Sequence, residues 1–386
     1  MGILSTGLVL PDFMTGRERQ IQAAEKQQSS SKLTILSKNP HNAEPVLSSL
    51  VDSWITPVEN FYIRSHAPNP KIDLKSFRVR VEGLVRKPLN LSLEELQGRF
   101  QRTSVIATMT CAGNRRTEHS RIKPVKGVQW SAGAIGNARW NGVRLSDVLK
   151  WAGVKESAKH VWFEGLDEIQ RKTNVIPFGA SIPLTKAFDD TKSMPGAMLC
   201  TGMNGKPLTP DHGFPLRTVV PGYIGARSVK WLGRIVVSDR PSPNHYVQHA
   251  YKLVPEDNPL LWDEAGPIYP YVLNSVICTP QSNKKIKGRS VTVSGYALAP
   301  GRAGRTIARV EVSTNNGRTW KQAKLNSLSR EYCWQLWTIE VPINRKIKHL
   351  TVRAVDSAGN SQPRTVKWNL KGYLFNAWHK VPVSVE

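Results

Sequence analysis

Ser104-Val105-Ile106-Ala107-Thr108-Met109-Thr110-Cys111-Ala112-Gly113-Asn114-Arg115-Arg116 is the stretch from which the rest of the chain is read. Its first four residues are apolar and β-branched enough for a buried strand, and the small-Gly-Asn sequence after Cys111 breaks that strand into a turn. A strand thus delivers one cysteine to a polar loop that carries two arginines. The thiolate is the form of cysteine that attacks or binds a metal, and neighbouring guanidinium groups favour it. Cys111 therefore reads as a metal ligand or an attacking sulfur. The bland alternative is a small buried hydrophobe with surface arginines beyond it.

The 386 residues are enough for two domains. Lys and Arg number 54 against 29 Asp and Glu, for a net charge of +25. Such a surface attracts small oxyanions, acidic proteins, anionic membranes and nucleic acid alike. The charge is dispersed along the sequence and no zinc-finger spacing or basic zipper is present, which argues against specific nucleic-acid binding. Cys111, Cys200, Cys278 and Cys333 are far apart. That spacing excludes a zinc cage and a dense disulfide framework and fits a reducing compartment. No run of about 18 apolar residues marks a membrane span. Ile3 to Leu10 lacks a basic leader, Arg17 and Arg19 are separated by Glu18, and Ser384-Val385-Glu386 is not a peroxisomal signal, so a cytoplasmic location is expected.

Residues 1–45 are polar and irregular, as expected of an N-terminal arm, and order is expected to begin near Trp54. Phe77 to Val81 alternates as a half-exposed strand, and Ser92 with Glu95 forms a capping box for a short helix. Val143 to Trp151 reads as a helix capped at Ser146, and Val161 to Asp167 as a strand entering a turn. The glycines near Arg217 and Lys230 let backbone N–H groups approach a ligand and suggest an anion cradle. Residues 238–270 read as a Pro- and Asn-bearing crossing. Beyond it, strands such as Val291 to Ala297, Ala308 to Ser313 and Leu350 to Val355 recur at the spacing of an immunoglobulin-like sandwich.

Cys111 to Arg116 resembles the signature of the sulfite oxidase family, the molybdenum enzymes that also include the molybdenum domain of assimilatory nitrate reductase. Further motifs agree in order over roughly residues 54–382. The resemblance implies a mixed α+β molybdopterin-binding domain, residues 46–262, followed by the all-β sandwich, residues 263–386, which serves as the dimer contact. It implies Cys111 as the molybdenum ligand, a soft thiolate suited to a metal already held by dithiolene sulfurs. Tyr62, Ile63, Arg64, Ser65, His66, Asp167, His212, Arg217, Ser228, Val229 and Lys230 would contact the pterin. Arg64, Arg116, Lys126, Trp130, Phe178 and Lys371 would form the catalytic pocket.

On this resemblance the expected reaction is oxygen-atom transfer, oxidising sulfite to sulfate. Nitrate or S-oxide reduction on the same cofactor, or a non-enzymatic basic dimeric binding module, are the alternatives. No segment resembles a haem or flavin unit, so electrons are expected to leave to oxygen, a cytochrome or another carrier. Two positions depart from the family pattern. Phe178 stands where a tyrosine is expected before Gly-Ala-Ser-Ile-Pro, and Lys371 where an arginine is expected, keeping the charge but not the bidentate fork.

Overall fold

The computed structural model describes residues 32–191 and 194–386. The strand Arg102–Thr110 pairs antiparallel with Ile135–Arg144 along its whole length, ending at Thr110 opposite Ile135. Cys111 donates its N–H to Ala134 at 2.9 Å, one step past the last pair, so the cysteine leaves the sheet at its end. Met198–Met203 adds on the other side of Ile135–Arg144, and Arg217–Val219 pairs with Met198 to Cys200. This antiparallel sheet delivers both Cys111 and Arg217.

A second five-stranded sheet runs Gly179–Pro183, His160–Gly165, Leu232–Ser238, Val79–Gly83, Leu89–Leu91, with a parallel pair between Leu232–Ser238 and Val79–Gly83. Val79, Val81, Val161, Phe163, Ile235 and Val237 alternate onto its buried face and pack against Leu145, Val148 and Leu149. Those three lie on the helix Leu145–Ala152. Its N-cap is Arg144 rather than Ser146, whose hydroxyl instead donates to Asp190. The Ser92–Glu95 capping box is present.

Of the expected irregular arm, residues 1–31 lie outside the described residues. Residues 33–45 do not behave as an arm, because Leu33–Ser37 pairs with Asn42–Pro45 and the latter with Ile63–Arg64. Polarity misled the reading. Glu44 is buried because its carboxylate accepts the N–H groups of Ser131 (2.9 Å) and Gly133 (3.2 Å), so a charged residue belongs to the interior.

The C-terminal part is a sandwich of two four-stranded sheets. One comprises Asn274–Thr279, Ser290–Leu298, Gln335–Pro342 and Lys324–Leu325; the other comprises Lys321–Gln322, Ile307–Ser313, His349–Asp356 and His379–Pro382. Val293, Val310, Trp337, Leu350 and Val352 fill the space between them. Among the described residues no helix is long and apolar enough to cross a membrane.

The sandwich is fastened to the cysteine strand. Cys333 Sγ donates to Ile106 O at 3.1 Å, Tyr296 Oη to Ala132 O at 2.8 Å, and Asn114 Nδ2 to Tyr296 Oη at 3.1 Å. Arg115, fully buried with φ 68°, is held by Glu118 at 2.6 and 2.9 Å and donates to Asn274 at 2.7 Å. Burial pushes the Glu118 carboxyl upward, but the Arg115 charge and hydrogen bonds outweigh it and hold the group below its ordinary value. Removing the carboxylate leaves a buried guanidinium without its counter-charge. Glu118→Ala is therefore expected to cost about 3–5 kcal/mol in denaturant unfolding, and a loss below about 1 kcal/mol would reduce the pair to a surface contact.

Candidate active site at Cys111

Two cavities meet at Cys111. The inner one, of about 660 Å³ counted out to solvent, lies between the segment Tyr62 to His66, the end of the cysteine strand and the turn-rich chain from Asp211 to Trp231. Arg217 is buried in its wall and donates only to neutral acceptors: His212 O (2.9 Å), Ser228 O (3.2 Å), Thr218 O (3.3 Å) and Met109 Sδ (3.2 Å). Lys230 Nζ donates to Ser65 Oγ (2.7 Å) and Asp211 O (2.8 Å). Arg64 Nη1 donates to Asn42 Oδ1 (3.3 Å) and to Ser65 O. Among the described residues, none of these three cations has a carboxylate within ion-pair distance.

Desolvation without a counter-charge shows in the titration of Lys230 and Arg217. Burial, then the Arg217 charge, draws Lys230 down to about 7, and burial draws Arg217 to about 10. His212 falls to about 4 through burial and Arg217. Burial raises the Asp167 carboxyl, whose Oδ1 accepts the Phe178 N–H at 3.0 Å. His66 stacks on Phe178 at 4.7 Å, and burial followed by Arg64 and Lys230 lowers it well below the ordinary imidazole value, so it is neutral. Burial pushes the Tyr251 phenol far up, so it keeps its proton. Tyr251 Oη lies 3.2 Å from His66 Nε2, within hydrogen-bond distance, and the His66 tautomer sets which of the two donates.

The outer cavity is a funnel of about 1030 Å³, counted to its open mouth. Arg64, Arg116, Lys126, Arg171 and Lys371 line it together with Tyr251 and Tyr373, and no Asp or Glu does. Arg116 is fixed from several sides: Nε donates to Lys371 O (3.0 Å), Nη1 to Val128 O (2.8 Å), and the guanidinium lies over Tyr373 at 5.3 Å. Gly113 makes room for it, since a Cβ there would stand 2.6 Å from Arg116 Nη2. Lys371 Nζ sits 5.4 Å from the Trp262 ring. Cys111 lines both cavities and its Sγ accepts the Gly113 N–H at 3.4 Å.

The structure brings together Tyr62, Arg64, Ser65, His66, Asp167, His212, Arg217, Ser228 and Lys230 in the inner cavity, and Arg64, Arg116, Lys126 and Lys371 in the funnel. Ile63 and Val229 are not on the walls. Ile63 is buried in a strand paired with Ala43, and Val229 packs in the main core while its N–H is held by Thr218 Oγ1. Trp130 is fully buried behind Tyr62, edge-on at 6.5 Å, and does not line the funnel. Phe178 lines the inner cavity and not the funnel, so it leaves no gap for a missing phenol there.

Tyr251 supplies that phenol from another part of the chain. The crossing 238–270 hides it, together with Tyr246, His245 and His249 of the same wall. Their sequence signal is the aromatic run His245-Tyr246-Val247-Gln248-His249-Ala250-Tyr251, dense in hydrogen-bonding rings for a linker. Arg171, from a polar turn, has no comparable signal.

Family descriptions match both parts: an oxidoreductase molybdopterin binding domain over residues 66–246 and a Mo-co oxidoreductase dimerisation domain over residues 266–386. The sulfite oxidase of Gallus gallus is 42% identical over 364 residues, covering 90% of this chain and 77% of that protein. The chain belongs to the sulfite oxidase family. The mitochondrial sulfite oxidase of Drosophila melanogaster is 40% identical across 94% of this chain, which spans 65% of the fly protein's length. The sulfane dehydrogenase SoxCD of Paracoccus pantotrophus shares the fold, with a TM-score of 0.76 at 25% identity over 99% of this chain and 96% of that one.

The residues present fit the family's molybdopterin. A buried guanidinium and a half-buried ammonium with only neutral acceptors suit an anionic phosphate, and a thiol between that cradle and the funnel suits a metal carried by the cofactor. Among the described residues no group of three His, Cys, Asp or Glu side chains could hold a metal alone.

Lys230 gives a test of the cradle. Its folded value, lowered from 10.5 to about 7, means that the folded chain binds fewer protons than the unfolded chain between those values. Its contribution to anion-free stability therefore rises with pH across that window. An anion beside Lys230 restores its proton, so the gain in Tm from sulfate added to cofactor-free protein should be larger near pH 6 than near pH 9. Lys230→Met should flatten this dependence. An equal gain at both pH values in the unsubstituted chain would remove Lys230 from the anion site.

Proposed function

We propose that this chain oxidises sulfite to sulfate at a molybdenum bound by Cys111, working as a homodimer through residues 266–386 and passing electrons to an external acceptor, oxygen or a cytochrome. The observation that carries the reading is the funnel itself: five cations, no carboxylate, and Cys111 at its inner end. A small dianion is the ligand class such a pocket selects.

When bound, the molybdenum cofactor supplies the oxygen atom and takes up two electrons. The chain's own residues bind, orient and exclude. Arg64, Arg116, Lys126 and Lys371 hold the oxyanion; each close pair carries about 4 kcal/mol at 4 Å and an effective dielectric near 20, before desolvation is set against it. Arg116 spends two of its five N–H groups on Lys371 O and Val128 O and keeps three for the substrate. Because both of those bonds go to backbone, the fork is preorganised and reorganises little as charge moves. Lys371 provides charge without a fork, and the Trp262 face limits its wandering. Tyr251, protonated throughout the neutral range, is a single O–H donor that can serve His66 or an oxyanion beside Cys111.

Protein purified from a host that makes molybdopterin should contain stoichiometric molybdenum and reduce ferricyanide in a sulfite-dependent way. Cys111→Ser should abolish turnover while the circular dichroism spectrum is kept; near-normal turnover would end the ligand assignment. Arg116→Ala should raise the sulfite KM by about tenfold or more, as loss of a charged hydrogen bond is worth about 1.5–3 kcal/mol. An unchanged KM would take Arg116 out of the anion pocket.

A further inference from the structure

The sandwich carries a second concentration of positive charge that contributes nothing to either cavity. Three segments distant in sequence build it. Lys284 to Arg289 contains the strand Lys285–Ile286, which pairs in parallel with Ser384–Val385. The loop Arg345 to Lys348 is tied to both neighbours, since Val383 donates to Lys348 O at 3.0 Å and Ile343 to Arg289 O at 2.9 Å. The fold thus gathers Lys284, Lys285, Lys287, Arg289, Arg345, Lys346 and Lys348 on one exposed ridge. Glu386 is the one acidic side chain in these segments, and it is shared by Lys285 (3.0 Å) and Lys287 (3.9 Å). The ratio of seven cations to one carboxylate is far steeper than the 54 to 29 of the whole chain.

We infer that this ridge is a docking surface for an anionic phospholipid bilayer, placing the protein reversibly at a membrane surface. Lysine dominates it, and a lysine ammonium acts as a mobile point charge suited to a fluid array of headgroups. Half-buried Ile347 and Val385 lie among the lysines and offer modest apolar contact at the headgroup level. The segments contain no aromatic ring on which a base could stack, which disfavours single-stranded nucleic acid. The ridge is also unsuited to the contact between identical copies. In a two-fold interface centred on it, seven cations would face the same seven. The inference is independent of the proposed reaction, because no ridge residue lines the Cys111 cavities.

The test is sedimentation of the full chain with phosphatidylcholine vesicles, with and without phosphatidylserine. Binding is expected only with phosphatidylserine and should weaken as salt rises, because the Debye length shortens to about 8 Å at 0.15 M. The variant Lys284→Glu/Lys287→Glu/Arg345→Glu/Lys346→Glu should lose at least about a hundredfold in affinity. A matched variant on the other domain, Lys71→Glu/Lys75→Glu/Arg78→Glu/Lys155→Glu, should lose much less. Equal losses would assign the binding to net charge and overturn the ridge. Equal binding to neutral vesicles, or tighter binding of a duplex oligonucleotide that the ridge variant abolishes, would overturn the lipid assignment.

Discussion

The backbone pairing that carries Arg102–Thr110 along Ile135–Arg144 and ends with Cys111 bonded to Ala134 is the constraint on which the rest depends. A thiol can serve two cavities only if its Cα is fixed where a rigid element stops, and a nine-residue strand supplies that stop. From there the chain must turn at once. Gly113 permits the turn because any Cβ would strike the Arg116 guanidinium, and buried Arg115 holds the beginning of the Arg116–Ile122 helix through Glu118 and Asn274. Adjacent arginines thus do opposite work, one bracing the domains and the other facing the funnel.

The cavities store an electrostatic cost. Arg217 and Lys230 are desolvated among carbonyls, a hydroxyl and a thioether, and burial lowers both. Folding tolerates this because hydrogen-bond acceptors are present even though counter-charges are absent. The same absence makes an anionic ligand part of the stability of the fold, so binding and folding are linked at this site. In the funnel Lys126 and Arg171 are exposed and Arg64 and Lys371 half-buried, which makes them less costly to keep, while Arg116 is buried and relies on its backbone acceptors.

The sandwich serves the site as well as itself. Tyr296 and Asn274 reach the cysteine loop, Leu374 donates to Ala112 O at 2.8 Å, and Arg116 is held by the carbonyl of Lys371. Distortion there would therefore be transmitted to Cys111 through short, directional contacts. The opposite demand applies to the lysine ridge, whose side chains are exposed and carry few fixed partners.

The sequence by itself determined the β-strand before Cys111, the Ser92 capping box and the β-rich second domain, because each is written in local period or turn chemistry, whereas most of the cation set came only through the resemblance to the sulfite oxidase family. It did not determine which face a residue takes when that face is chosen by distant neighbours. Trp130 and Phe178 sit in the right motifs, yet packing turns one into the core behind Tyr62 and the other onto His66. Polar residues 33–45 read as an arm because the two backbone N–H groups that donate to the Glu44 carboxylate lie almost ninety residues away. Tyr251 was masked by a linker-like context, and only the tertiary fold brings its hydroxyl to His66 across 185 residues. Such contacts depend on long-range burial and hydrogen-bond satisfaction, which no local pattern encodes.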